Sequence, residues 1–288
     1  MSNSRRSFLR NTALASLALG TPFNNQLFAM AQKKNKFGIQ LWTVKQALAK
    51  NPLGVLKHLS NCGYKQIESF EGADGMFWGM KNTEFKKQLG DLEMNMIASH
   101  CDINKDFERK AAEAAEIGMK YLICPHIGAQ KSIDDYKRFA DQFNKCGEIA
   151  NKNGIRFAYH NHDYSFKAMA GGMPQDVMMN GTDANLVDFE MDIYWVVAAG
   201  ADPIAYLKKY PNRFKLMHVK DLKKGVVGNL SGGTSSENDV ALGTGQLNLP
   251  AIMKAAKKAK IQHYYIEDES SLHAIQVPES IKYLLSIK

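Results

Sequence analysis

Histidines and acidic residues recur along this chain at one kind of position, the end of a short β-type run. Glu68 lies at the end of run 64–69, His100 follows 94–99, and His126 lies just past 120–124. His160-Asn161-His162-Asp163 closes run 155–160, and Asp192 follows 185–191. His218-Val219-Lys220-Asp221 closes run 214–219, and Glu267-Asp268-Glu269 follows 264–266. One such residue commonly caps a helix or holds a loop. The repetition at successive runs points instead to side chains that converge. His160, Asp192, His218 and Glu267 offer two imidazoles and two carboxylates. That mixture suits Mn, Fe, Co or Zn better than Ca or Mg alone. Free of cysteine, the set fits a catalytic site with positions open to substrate oxygens rather than a closed structural one.

The elements that must position these residues alternate. A first strand is expected over 37–42, then the seven runs above, separated by helices over 52–62, 83–92, 105–117, 133–152, 174–179, 201–209, 249–260 and 278–286. Gly63, Gly118 and Gly154 stand where helices stop and strands begin, as left-handed caps require. Eight strands each followed by a helix predict an α/β fold, a (β/α)8 barrel, in which strand C-terminal ends converge on one mouth. No glycine-rich turn follows the first strand, which argues against a dinucleotide-binding open sheet. Two connections are long: 169–183, with Gly171-Gly172, and the polar 223–247. Both fall on the mouth side, and the second is expected to act as a mobile lid.

The N-terminus reads differently. Ser4-Arg5-Arg6-Ser7-Phe8-Leu9-Arg10, a modest apolar stretch and Ala29-Met30-Ala31 have the form of a twin-arginine export signal over 1–31. The barrel is then expected as a single domain over 32–288, in the periplasm. Cleavage would lower the formal charge from +8 to +5, leaving no block of like charge that would suggest nucleic acid. With 45% apolar and 23% charged residues the chain is neither disordered nor disulfide-dense, and no apolar run is long enough for a membrane span. No membrane association is expected after signal cleavage. The four cysteines have no CxxC spacing.

Several longer stretches carry a family resemblance. They are Gly38-Ile39-Gln40-Leu41-Trp42, the segment from Gly154 to Asp163, Asp192-Ile193-Tyr194-Trp195 with Ala199-Gly200-Ala201-Asp202-Pro203, His218-Val219-Lys220-Asp221, Gly243-Thr244-Gly245 and Ile266-Glu267. From Lys36 onward the chain resembles the xylose isomerase-like TIM barrels, the sugar phosphate isomerase/epimerase group, and its exported Bacteroides-type members. The resemblance implies one divalent ion, Mn first, with Mg, Co, Fe or Zn as alternatives, held by Asp192, His218 and Glu267. At the fourth position His160 stands where the group usually has Glu, which removes one carboxylate of the group's proton relay.

The implied chemistry is C–H proton abstraction beside the carbonyl of a sugar or keto-sugar, through an enediolate, giving isomerisation or epimerisation. A lyase or hydrolase acting on keto-glycosides and a non-catalytic sugar-binding protein are the alternatives. Glu68, His162, Lys220 and Glu269 are the candidate acid, base and enolate-stabilising groups. Trp42, His100, His126 and Trp195 are the candidate substrate contacts, although core packing would also account for the tryptophans. The partner expected is a small carbohydrate; a homo-oligomer is left open.

Overall fold

The structure, a computed structural model, describes residues 37–287. The export-signal expectation falls outside those residues. Among the described residues eight strands run in parallel: β1 (Phe37–Gln40), β2 (Gln66–Phe70), β3 (Asn95–His100), β4 (Tyr121–Cys124), β5 (Arg156–His160), β6 (Val187–Asp192), β7 (Phe214–Val219) and β8 (His263–Ile266). They pair in chain order and β8 returns to β1, closing a TIM barrel. β4 and β6 are buried at every residue, as strands covered on both faces must be.

Two apolar regions hold the barrel. The larger lies between strands and helices and includes Ile39, Leu56, Phe85, Phe143, Phe157, Phe189 and Ile281. The smaller fills the barrel interior with Ala98, Tyr121, Ile123, Ala158, Leu216 and Tyr265. Gly38 makes room for that filling: a Cβ there would sit 2.6 Å from Cδ1 of Tyr265. At the N-terminal end of the strands, Asp188 accepts from Arg156 Nε at 2.7 Å and from the Tyr121 hydroxyl at 3.2 Å. These contacts cross the barrel at that end, where Tyr121, Arg156, Asp188 and His263 also line a polar cavity of about 590 Å³.

Most boundaries differ from the sequence expectation by a residue or two, and two departures have an evident local cause. β1 stops at Gln40 instead of residue 42, because the Gln40 side chain accepts from the Trp42 amide and turns the chain into a 3-10 segment, Leu41–Val44. An unexpected helix, Ile193–Ala198, leaves β6 at once, since Asp192 Oδ1 caps it through the amides of Tyr194 (2.9 Å) and Trp195 (3.2 Å). The last helix begins at His273, not 278, with Pro278 inside it.

The long 223–247 connection is pinned. Asp163 accepts from the amides of Leu230 (2.9 Å) and Gly232 (2.6 Å), and Asp221 gathers those of Gly243, Gly245 and Leu247. The segment expected to act as a lid is a strap held by Asp163 near its middle and by Asp221 at its C-terminal end.

Candidate active site

A cavity of about 580 Å³ opens over the C-terminal ends of the strands. His100, His160, Lys220 and Glu267 reach its floor, Trp42, His126, His162, Trp195 and Glu269 its walls, and the strap adds Gly232 to Thr234, Ser236 and Asp239. Among the candidates, Glu68, Asp192 and His218 do not line it; all three are wholly buried just beneath.

Asp192 sits at the centre of the first group of donors. Its Oδ1 is used by the helix cap, which leaves Oδ2 aimed elsewhere. His160 Nε2 lies 3.4 Å from that oxygen, and His218 Nδ1 lies 3.7 Å from it. Neither Asp192 Oδ2 nor His160 Nε2 has a hydrogen-bond partner among the described residues. Glu267 Oε2 joins from β8, 3.1 Å from His218 Nδ1. Three of the four residues singled out in the sequence, His160, Asp192 and His218, thus bring ligand atoms within 4.8 Å of one another, and Glu267 adjoins them through His218. Burial opposes ionisation of Asp192, but His160, His218 and Lys220 hold its carboxyl well below the ordinary range. Burial and the neighbouring His218 depress the His160 imidazole, so it stays neutral and able to donate a lone pair.

Glu68 was expected to face the mouth. It lies one layer lower, because its β2 position is level with Gln40 of β1, whose amide donates to Glu68 Oε1 at 2.6 Å. There it meets His218 Nε2 at 2.6 Å and His100 Nε2 at 3.1 Å. Glu190, not singled out in the sequence, completes this lower group: its Oε2 is 3.0 Å from His100 Nε2 and 3.3 Å from His218 Nε2. The signal was present in the alternation Asp188-Phe189-Glu190-Met191-Asp192, which turns three acids of β6 into the barrel. Burial, and then the Glu68 charge, pushes Glu190 up to about 8. Burial works the same way on Glu68, but the two imidazoles override it and hold that carboxyl well below the usual range.

Lys220 is buried between carboxylates: its Nζ is 3.2 Å from Glu267 Oε2, 3.2 Å from Glu269 Oε1 and 3.5 Å from Asp239 Oδ2. Burial alone would discharge it, but these acids raise its pKa well above the ordinary lysine value. Asp239, also absent from the sequence candidates, is pushed up to about 7 by burial, with Lys220 pulling the other way. It sits on the strap, where no strand periodicity marks it. Glu269 Oε2 accepts from Trp42 Nε1 at 2.8 Å and from Lys45 Nζ at 3.4 Å. The Lys45 ammonium also stands 4.0 Å above the Trp42 ring, which remains 39% exposed at the cavity rim. His162 lies between the rings of Trp195 (centroids 5.1 Å) and His126 (4.9 Å), with Nδ1 buried and unpartnered among the described residues. Burial, reinforced by His160, holds its pKa well below the ordinary imidazole value.

A closed parallel barrel whose polar residues crowd one mouth defines a class of proteins, and comparison identifies the family within it. The xylose isomerase-like TIM barrel family model matches residues 56–286, and the chain belongs to that family. A sugar phosphate isomerase/epimerase from Parabacteroides distasonis superposes with a TM-score of 0.74 at 28% identity, covering 88% of this chain and 96% of the other. The IOLI protein with a bound zinc atom shares the fold, with a TM-score of 0.70 at 16% identity over 86% of this chain and 94% of its own. An inosose dehydratase from Clostridium beijerinckii is 36% identical over 98 residues, 33% of this chain and 31% of the relative. That match spans about a third of the curated relative's length.

Proposed function

We propose that this chain is a divalent-metal-dependent isomerase or epimerase that removes a proton from the carbon beside the carbonyl of a sugar or keto-sugar. The observation that supports this most is the pair of buried, unpartnered donors under the cavity floor, His160 Nε2 and Asp192 Oδ2, with His218 Nδ1 and Glu267 beside them. These four residues would hold the ion, and their mixed nitrogen and oxygen donors fit Mn, Fe, Co or Zn. When bound, the ion supplies positive charge to adjacent substrate oxygens and so makes the neighbouring C–H more acidic.

The remaining work falls to the chain's own side chains. Lys220, kept charged by its three carboxylates, can face an enolate oxygen as negative charge develops there. His162, neutral and lining the cavity, can accept the carbon-bound proton. It is favoured over Glu68, which lies beneath the floor, and over Glu269, whose two oxygens are held by Lys220, Lys45 and Trp42. Asp239 is a further group able to gain or lose a proton near neutral pH. Trp42, Trp195, His100 and His126 form the surfaces a sugar ring would meet. An exported enzyme would meet free keto-sugars or glycosides more readily than sugar phosphates.

A second reading, β-elimination, is favoured by the inosose dehydratase match. It begins with the same proton abstraction and diverges when a hydroxyl leaves from the next carbon. Incubation of Mn-loaded protein with inososes, keto-sugars and keto-glycosides in D2O separates the readings. Deuterium beside the carbonyl with the carbon skeleton intact supports isomerase or epimerase chemistry, and loss of water with a new conjugated carbonyl supports the lyase. His162→Gln should slow turnover by roughly 10² to 10⁴-fold with metal content unchanged. Absence of a primary isotope effect on every substrate turned over would overturn the proposal, and binding without turnover would leave a sugar-binding protein.

A further inference from the structure

We propose that Glu68, His100, Glu190 and His218 form a second, closed divalent-cation site one layer below the cavity floor, sharing His218 with the site above. The proposal does not depend on the catalytic reading, because it rests on a different set of atoms.

Geometry carries it first. Two imidazole Nε2 atoms and two carboxylate oxygens alternate around a small ring, with N···O separations of 2.6, 3.0, 3.1 and 3.3 Å. All the ligand atoms of the group lie within 4.8 Å of one another. A tetrahedral ion with ligands at about 2.0–2.1 Å spaces them roughly 3.3–3.4 Å apart. Three of the four separations lie within about 0.4 Å of that spacing, and the fourth, His218 to Glu68, must open by about 0.7 Å. Two nitrogens and two oxygens, all from protein and with no cavity-facing carboxylate, match zinc in a closed site better than calcium or magnesium.

Unpartnered atoms carry it second. The ring can satisfy one oxygen of each carboxylate through imidazole N–H groups. That leaves Glu68 Oε2, Glu190 Oε1 and the hydroxyl of Tyr265, all buried, without hydrogen bonds among the described residues. Polar oxygens buried in this way are costly without a partner, and the Glu68 carboxylate among them calls for positive charge close by. With the lower site alone filled, a divalent ion, two neutral imidazoles and two carboxylates sum to zero net charge, which a buried layer tolerates. With both sites filled, His218 gives up its remaining ring proton to solvent and bridges the two ions as an imidazolate. His218 can serve both layers because its ring nitrogens face opposite ways: Nε2 toward Glu68 and Glu190, Nδ1 toward Asp192 and Glu267. The lower ion would fix the ring plane of His218, and with it the geometry of the donors above.

The test is metal stoichiometry. Chelator-stripped protein is reloaded with ZnCl2, freed of excess by gel filtration, and its zinc measured per chain. Wild type should hold two ions, and Glu190→Gln and Asp192→Asn should each hold one. The site disturbed by Glu190→Gln should lose affinity by more than the roughly 10–100-fold that outer hydrogen-bond partners cost. Unchanged zinc in Glu190→Gln, with one ion lost in Asp192→Asn, overturns the lower site and leaves the catalytic reading standing. Loss in Glu190→Gln alone keeps the lower site and removes the catalytic one. Should Glu190→Gln fail to fold, CoCl2 titration of the wild type serves instead. A distinct equivalent with the intense visible absorption of tetrahedral Co2+ supports the proposal, and only weakly absorbing Co2+ at every equivalent overturns it.

Discussion

At the scale of single residues, Asp239 shows how a buried acid records its surroundings. Its folded pKa, about 7, lies above the ordinary carboxylate value, so the folded chain holds a proton that the unfolded chain has already released. The stability this confers is complete below about pH 4 and is lost as pH rises toward 7. Relative to Asp239→Asn, the wild type should therefore lose stability between pH 5 and 7, by up to about 1.4 kcal/mol per pH unit, and level off above. Denaturant unfolding of both proteins at four pH values checks this. The opposite slope would show that Lys220, 3.5 Å away, dominates and keeps Asp239 ionised. Glu190 and Asp239 also mark what residue types alone concealed. Asp192, His218 and Glu267 are legible because they close strands and a family pattern repeats them. Glu190 lies inside a strand, where an acid reads as an oddity until the barrel is closed around it. Asp239 lies on a strap whose path depends on hydrogen bonds distant in sequence.

At the scale of elements, the strap carries anchors that its sequence does not announce. Its polar, glycine-containing composition suggested freedom, and composition cannot register that Asp163 lies within reach of two of its amides. Asp163→Ala should release that anchor at a local cost of about 1–3 kcal/mol. Amide exchange at Leu230 and Gly232 should then accelerate by about tenfold or more, while strand amides keep their protection. Equal acceleration in β5 and β6 would make the strap part of the cooperative core. The Gln40 turn and the Asp192 cap teach the same lesson at shorter range. Each moves a boundary by using a side chain that alternation alone assigns to a strand, and each also places a cavity residue, Trp42 and Trp195 respectively.

At the scale of the whole molecule, the order of the strands was readable because glycine stops and apolar runs repeat through the chain. The layering inside the barrel was not, since it follows from the register between neighbours. Arg156, Asp188 and Tyr121 cross the lower end, an apolar layer follows, and imidazoles and carboxylates occupy the top. The candidate metal donors are thereby gathered at one end, away from the Arg156–Asp188 pair at the other. We further propose that residues 1–31 direct this chain through twin-arginine export, which carries proteins already folded. Arg5→Lys with Arg6→Lys should retain the precursor in the cytoplasm, as cell fractionation would show; normal delivery of that variant would rule out this route.

Trp42 gives the cavity an optical handle. Two of the chain's three tryptophans, Trp42 and Trp195, line the cavity, and Trp42 is partly exposed there with its indole N–H on Glu269 and the Lys45 ammonium over its ring. Emission from an indole responds to nearby charge and to loss of solvent. A sugar entering the cavity would shield this ring from water and perturb both ionic neighbours at once. Intrinsic fluorescence should therefore report occupancy directly, without a coupled assay or a chromogenic substrate, and Trp42→Phe should abolish most of the signal. Ligands could in this way be ranked before any turnover is known.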